Sequence, residues 1–312
     1  MLPDTLRANL RRYHEEFFQR YPDLSSSSTV DEHRSNGKTN DSLVSRTLRF
    51  YSFLHPRLVT DITPELREYW SSSFALRIQA EPATFARKVG LDAGCGEGRY
   101  SWHVANQGAE VIGIDLSEGV NVAFRNTSNL DRVHIVQASL YNLPIRPGSL
   151  DFVFSTGVLH HLPEPGKGFE HLVPVLKPGG RMMIWVYGLA QMNMTYQLSH
   201  LTSLRGIGSR LEPEVCFALS AALAVALEGS IYTPARVLAA TGFEDRLPKQ
   251  LLEVARLPFI WKVKEAQDRI GVPVTYYLTH DELVEWFHTA SFEDVKIVNS
   301  SGRGWYGSGI RI

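Results

Sequence analysis

Val89-Gly90-Leu91-Asp92-Ala93-Gly94-Cys95-Gly96-Glu97-Gly98 is the stretch whose reading decides the fold. Val89 to Ala93 is short, apolar and followed by glycines, the pattern of a buried strand turning tightly into a helix. Glycines in such a turn let the backbone approach a ligand closely, and the N-terminus of the helix behind it favours negative charge. The glycines fall at 94, 96 and 98, and Arg99 stands where the third glycine of a dinucleotide fingerprint would be. Asp92, on the strand itself, would repel a pyrophosphate but tolerate an ammonium or a sulfonium. Twenty-three residues after Asp92, Asp115 closes the second strand. That is where a carboxylate takes the hydroxyls of a ribose.

Outward from this stretch, strands and helices alternate. A helix is expected from Gly98 to Gln107, a strand from Glu110 to Ile114, and a helix capped by Ser117 to about Asn126. Val133–Gln137 and Leu150–Ser155 read as the third and fourth strands. A helix from Gly168 to Leu176 is expected to stop at Lys177-Pro178-Gly179-Gly180, and Arg181–Tyr187 forms the fifth strand. Such alternation marks a doubly wound, mostly parallel α/β sheet. The pattern breaks at Gly188, and residues 188–274 read as a helical insertion. It resumes at Thr279-His280-Asp281-Glu282, a capping box, followed by Phe292–Val298, a turn at Ser300–Gly304 and Trp305–Ile312. The last pair is an expected antiparallel hairpin, which brings the strands to seven.

Before the core, residues 1–88 read as a helical extension. Leu6, Leu10, Tyr13 and Phe17 recur at helical spacing over residues 2–21, a helix that would serve as a lid over the site or dock on the core. Ser25–Ser42 has Val30 as its only apolar residue and is expected to be a mobile segment. Apolar residues at 44% and charged residues at 21% are those of a globular chain, and a net charge of −1 excludes a nucleic-acid-coating protein. Two cysteines, Cys95 and Cys216, make neither a disulfide framework nor a Cys-rich metal site. The first twenty residues carry charges throughout, unlike a signal peptide. The longest nearly uncharged run, Val215–Leu227, is thirteen residues, which at about 1.5 Å each falls short of a ~30 Å hydrocarbon core. No membrane span and a cytoplasmic location are therefore expected.

Together these motifs resemble the class I S-adenosylmethionine-dependent methyltransferases, in particular the small-molecule enzymes of the ubiquinone/menaquinone-biosynthesis type. DAGCGEG (92–98) resembles their first motif, VIGIDLS (111–117) the second, SLDFVFSTGVLHHL (149–162) the fourth-strand motif, and VLKPGGR (175–181) the turn before strand five. The resemblance covers 89–187 and 275–312, and implies S-adenosyl-L-methionine as cofactor. It further implies that Gly94 and Gly96 lie against the methionine moiety, with Asp92 near its ammonium. Asp115 would bind the ribose hydroxyls, and Leu116 would flank the adenine. Ser139 and Leu140 take the adenine-edge position, where the family often has Asp, and Ser155 and Thr156 give contacts near the methionine end.

Methyl transfer from a sulfonium is an in-line displacement that needs alignment and exclusion of water more than strong acid chemistry. A hydroxyl acceptor also needs a base, and His160 and His161, just beyond strand four, are the candidates. Tyr187 reads as pocket wall. Catechol-type enzymes of the family hold a metal through an Asp after strand four, where this chain has Ser155, so no metal is expected. The insertion's Phe217, Leu219, Leu223, Leu227, Phe259 and Trp261 suit an apolar acceptor pocket, a homodimer interface or a helical cap. The expected function is methyl transfer to a small apolar or aromatic metabolite, with oxygen preferred and no nucleic-acid partner. An RNA or protein substrate, or cofactor binding without transfer, are the competing readings.

Overall fold

In this computed structural model the described residues are 38–58, 63–188, 207–300 and 304–312. The helix expected over 2–21, its lid role and residues 25–37 of the polar segment lie outside them. Two helices come first: α1 (Lys38–Leu54), followed by a short turn at His55–Leu58, and α2 (Pro64–Ile78). The polar segment expected to run to Ser42 is already helical from Lys38. Once the apolar residues of α1 are packed, helix extends outward at little cost even through polar sequence. Thr63 caps α2, its hydroxyl accepting from Leu66 N–H at 3.3 Å.

The core then runs β1 (Val89–Ala93), α3 (Arg99–Asn106), β2 (Glu110–Asp115), α4 (Gly119–Thr127), β3 (Val133–Gln137), β4 (Leu150–Thr156), α5 (Pro165–Leu172) and β5 (Leu176–Tyr187). Helix α5 ends four residues earlier than the glycines suggested. Val173 still has helical backbone, its N–H bonding Glu170 O, but Pro174 has no N–H to give the next rung. Lys177–Gly180 instead bulges within β5, whose partner on β4 jumps from Leu176↔Leu150 to Arg181↔Phe152. The insertion supplies α6 (Pro213–Leu227), α7 (Thr233–Leu238), α8 (Lys249–Arg256) and α9 (Phe259–Ile270). Helix α10 (His280–Thr289), with the Thr279–Glu282 capping box formed, leads to the antiparallel pair β6 (Phe292–Ser300) and β7 (Gly304–Arg311).

The seven strands order β3-β2-β1-β4-β5-β7-β6, the first five parallel and β7 antiparallel to both β5 and β6. One face of the sheet packs on α5 and α10 through Phe169, Leu283 and Phe287, all fully buried. The other packs on α2 and α3 through Phe74, Ile78, Tyr100 and Val104. Gly90 is needed here, because a Cβ on it would lie 2.1 Å from the Phe152 ring on the neighbouring strand.

The N-terminal helices and the insertion form one layer. Phe50, Leu54 and Leu58 pack with Cys216, Ile270 and Val272, and Leu66 and Trp70 pack with Val254, Leu257 and Trp261. The insertion's aromatic residues serve this packing. Trp261 meets Trp70 at 6.0 Å between ring centroids, and Phe217 meets Phe53 at 5.9 Å. Helical segments follow one another from Pro213 to Arg246 with a kink at Gly242, whose φ is +92°; the 34 residues, with a mean hydropathy of 1.8 in the most apolar stretch, are by length and composition enough to cross a membrane. The thirteen-residue estimate is therefore too short for this helix. Its side chains are arranged inside out. Val215, Leu219, Val225 and Val237 are exposed, while Glu228 accepts from Lys262 Nζ at 2.6 Å, Thr233 Oγ1 at 3.0 Å and the Arg236 guanidinium.

Burial pushes the Glu228 carboxyl up, but hydrogen bonds from Lys262, Arg236 and Thr233 outweigh it and hold the pKa at about 2. A pKa below the unfolded value contributes stability at neutral pH that is lost as pH falls from about 4.5 toward 2. Glu228→Gln should lower stability at pH 7 by about 1–3 kcal/mol, because it strands the buried Lys262, and should flatten the loss below pH 4.5. Denaturant midpoints at pH 7 and pH 3 check this, and an equal drop in both proteins between the two pH values contradicts it.

Candidate active site

Between the C-terminal ends of β1, β2, β4 and β5 and the helical layer lies a cavity of about 220 Å³. Ligands of open α/β sheets sit at this end, where the strand order reverses between β1 and β4. The loop after β1 is held against β2 by Gly94 N–H and Cys95 N–H, both donating to Ile114 O at 2.7 and 2.9 Å. Gly94 has φ +86° and lies so close to Val158 that a Cβ would come within 2.4 Å of it. Gly96 and Gly98 also have positive φ, at +53° and +80°. The sequence thus uses glycine where the turn needs left-handed backbone.

Asp115 ends β2 with its carboxylate between two loops. Oδ2 accepts from Gly96 N–H at 2.9 Å, and Oδ1 accepts from Ser117 N–H at 2.8 Å and Ser117 Oγ at 2.7 Å. A carboxylate has about four acceptor positions, so capacity remains for a ligand hydroxyl. Ser117 was expected to cap the next helix. The helix begins at Gly119, whose N–H the Ser117 hydroxyl accepts at 3.2 Å.

Of the residues expected to hold the cofactor, Gly94, Gly96, Asp115, Leu116, Ser139, Leu140 and Thr156 line this cavity together. Asp92 and Ser155 do not. Asp92 is 2% exposed and accepts from Ser101 Oγ on α3 at 2.7 Å. Ser155 is fully buried and donates to Ala93 O at 2.9 Å, which ties β4 to β1. Side chains alternate along a strand, so Ser155 and Thr156 face opposite ways.

The two histidines also part. His160 is fully buried and absent from the cavity wall. Its Nδ1 accepts from Tyr187 N–H at 3.2 Å, and its ring stacks on Tyr187 at 4.0 Å. It supports the end of β5 and is not placed to act as a base in the cavity. His161 does line the cavity. Its Nδ1 is 2.8 Å from Val274 O, which can only accept, so Nδ1 carries the proton and the neutral ring keeps its lone pair on Nε2. Burial raises the Tyr187 phenol, with Asp268 adding to the effect, so it stays neutral as cavity wall.

The apolar residues expected to form an acceptor pocket, Phe217, Leu219, Leu223, Leu227, Phe259 and Trp261, do not line the cavity. The insertion instead presents Lys264, Glu265, Asp268 and Arg269 of α9 to it, Lys264 bonding Asp268 at 2.7 Å. Arg77 of α2 lies over the Trp185 ring, 4.5 Å from its centroid, and donates to Tyr100 Oη at 2.7 Å. Burial works against the Lys264 ammonium, but Asp268 and Glu265 raise its pKa and keep it charged. Burial likewise raises the Glu97 carboxyl, and Arg99 and His55 bring it back below its ordinary value. None of these charged groups was expected from sequence. Nothing local in the sequence of α9 shows that Lys264, Glu265, Asp268 and Arg269 meet the glycine-rich loop.

The residues present fit S-adenosylmethionine. Gly94 and Gly96 line the cavity with backbone alone, Asp115 keeps acceptor capacity, and Leu116 and Leu140 give apolar surface beside it. Comparison with known proteins agrees. Residues 91–184 match the family model described as a methyltransferase domain. The chain is 41% identical over 95 residues to a demethylmenaquinone methyltransferase of Clavibacter sepedonicus, covering 30% of this chain and 39% of that protein. It is 30% identical over 127 residues to a tRNA U34 carboxymethyltransferase of Pseudoalteromonas atlantica, covering 39% and 38%. The chain thus spans well under half the length of the curated relatives it matches. Among solved structures, a methyltransferase of Thermotoga maritima described as a possible histamine N-methyltransferase superposes with a TM-score of 0.50. The superposition covers 85% of this chain and 100% of that one at 12% identity, a likeness of fold.

Asp92 gives a direct test of the buried electrostatics. Burial raises its carboxyl to about 7, the Ser101 hydrogen bond lowering it and the nearby Asp115 charge raising it further. A raised pKa means stability that is full below about pH 4 and lost as pH rises through 7. Asp92→Asn should therefore gain on the wild type by on the order of 1–3 kcal/mol between pH 4 and pH 8. Urea midpoints across that range check it. A constant difference would show that Asp92 does not titrate there.

Proposed function

We propose that this chain, in which residues 91–184 are a class I S-adenosylmethionine-dependent methyltransferase domain, methylates a small aromatic acceptor bearing polar substituents, with oxygen as the preferred site. The observation that carries this reading is one continuous cavity. It runs from Gly94, Gly96 and Asp115 to His161 and the aromatic side chains Tyr51, Trp185 and Tyr187.

When bound, the cofactor supplies an electrophilic methyl on a sulfonium. The chain's own contribution is alignment, exclusion of water and the holding of one proton. The glycine turn and Asp115 fix the cofactor end. Helices α1, α2 and α9 contribute Tyr51, Arg77 and Lys264 to the cavity wall and narrow its access to bulk water. His161 Nε2 is the acceptor for a hydroxyl proton, because the bond to Val274 O occupies Nδ1. Tyr51 and Tyr187 hold the imidazole from two sides at ring-centroid distances of 5.8 and 5.7 Å.

The charged α9 wall shifts the expected acceptor from apolar toward aromatic and polar. Relatives similar over the same core include a demethylmenaquinone methyltransferase and tRNA carboxymethyltransferases, so the acceptor is a property of the helical layer and not of the domain. Incubating the protein with methyl-labelled cofactor and fractionated cell extract tests the reading. Label in small organic-soluble products is the expected result. Label in RNA or protein would select the competing substrate class, and cofactor binding without label transfer the non-transferring one. Once an acceptor is in hand, His161→Gln should lower kcat by about 10²–10⁴ and abolish the basic pH limb, whereas His160→Gln should act through stability. An unchanged pH profile in His161→Gln removes the histidine base.

A further inference from the structure

His55 lies in the turn after α1, outside the residues that match the methyltransferase domain, yet its imidazole is built into the cofactor loop. It is 7% exposed, and its Nδ1 is 3.1 Å from Ser117 Oγ. The proton positions follow from chemistry. A carboxylate has none to give, so at 2.7 Å the single Ser117 hydroxyl proton points to Asp115 Oδ1. The hydroxyl oxygen is left to accept, from Gly119 N–H and from His55. His55 Nδ1 is therefore the donor, with Nε2 3.8 Å from Glu97 Oε2. The ring's seat is made by two glycines. A Cβ on Gly119 would lie 2.4 Å from Nδ1, and one on Gly96 would lie 3.2 Å from Cε1. Tyr51 stacks against the imidazole at 5.3 Å with 28° between planes.

We propose that His55 is a positioning residue for the cofactor's ribose, acting through Ser117 on Asp115; this rests on the reading of Asp115 as the ribose ligand. Donation from Nδ1 holds the Ser117 hydroxyl with its proton toward Asp115. Three protein donors then fix the carboxylate in one rotamer, with its remaining acceptor capacity toward the cavity. Without His55 the hydroxyl can turn, and Asp115 loses both a donor and its orientation. The N-terminal extension is in this way part of the cofactor site, and a domain cut at residue 89 lacks a piece of it. Glu97 Oε2 lies 3.8 Å from His55 Nε2, and its other oxygen pairs with Arg99 Nε at 3.3 Å.

A double-mutant cycle read by calorimetric titration of the full chain with S-adenosylhomocysteine tests this. His55→Phe should weaken binding about tenfold, the loss of a hydrogen bond that orders a charged group. His55→Asn should return to within about threefold of the wild type, because its amide N–H can stand where Nδ1–H stood. In an Asp115→Asn background, His55→Phe should add less than about twofold, since the group it positions is already impaired. If His55→Phe does not fold, Ser117→Ala breaks the same relay with a smaller change and should show the same non-additivity. The inference is overturned if the His55→Phe effect is absent. It is also overturned if that effect is undiminished in the Asp115→Asn background, or if His55→Asn is no better than His55→Phe. Unchanged binding in Asp115→Asn alone is a different failure, that of the ribose assignment.

Discussion

The carboxylate of Asp115 is the fixed point of this molecule. It accepts from the loop after β1 through Gly96 N–H and from its own loop through Ser117. It joins the ends of two parallel strands whose register, Ala93 beside Ile114, brings those loops side by side. Two loops with unpaired N–H groups at a strand end must find acceptors, and a single carboxylate on the longer strand serves both. The glycines follow from this. The loop can bend back to the carboxylate only with left-handed backbone at Gly94 and Gly96, and it leaves space for His55 only because neither Gly96 nor Gly119 carries a Cβ. Strand register, glycine turn and docking of α1 are one arrangement.

The sheet was legible because its signals are local. Five apolar runs separated by helical patterns, and a capping box before the last helix, place seven strands and their order of appearance. The boundary of α5 was misread for a nameable reason. Two stop signals compete in that segment, and the missing N–H of Pro174 ends the ladder before the glycines at 179 and 180 are reached. The motifs bring Gly94, Gly96, Asp115, Leu116, Ser139, Leu140 and Thr156 to one cavity, but they do not encode which way their neighbours face. Asp92, Ser155 and His160 each sit one position or one turn from the cavity, and each spends its polar group on the scaffold, on Ser101, Ala93 O and Tyr187 N–H. A motif fixes which residues are near a ligand. The pleat of a strand and the turn of a short helix decide which of two neighbours faces it.

The helical layer was not legible because its contacts are remote in sequence. Phe50 meets Ile270, and Trp70 meets Trp261, pairings of long sequence separation that no local periodicity encodes. An apolar stripe on a helix says only that some surface is covered. In the insertion, Phe217 and Trp261 cover α1 and α2, aliphatic residues of α6 face outward, and ionised residues of α9 face the cavity. This reverses the assignment that composition invites. Charged groups survive there because each is matched. Lys264 has Asp268, Arg99 has Glu97, and Arg77 has the Tyr100 oxygen and the face of Trp185.

That matching bears on the chemistry proposed. A sulfonium loses positive charge density as its methyl moves, so a wall with a large unpaired negative charge would stabilise the ground state more than the transition state and slow the transfer. Here Asp268 and Glu97 are paired with Lys264 and Arg99, and the Asp115 carboxylate, at the ribose end in the proposed reading, is met by N–H and hydroxyl donors. Discrimination between acceptors then falls to shape and to hydrogen bonds with Arg77, Lys264 and Asp268, while rate falls to alignment. Alignment is set by two anchors of different origin. In the proposed reading the cofactor end is held by Asp115 and the loops of the domain core. The proton-accepting end is held by Val274 O, which fixes the His161 tautomer from the segment where the chain re-enters the core. The distance between those anchors depends on how the insertion packs on α1 and α2. Because the turn after α1 carries His55, which meets Asp115 through Ser117, a change in that packing would reach both anchors, the first through the imidazole and the second through the segment that holds His161.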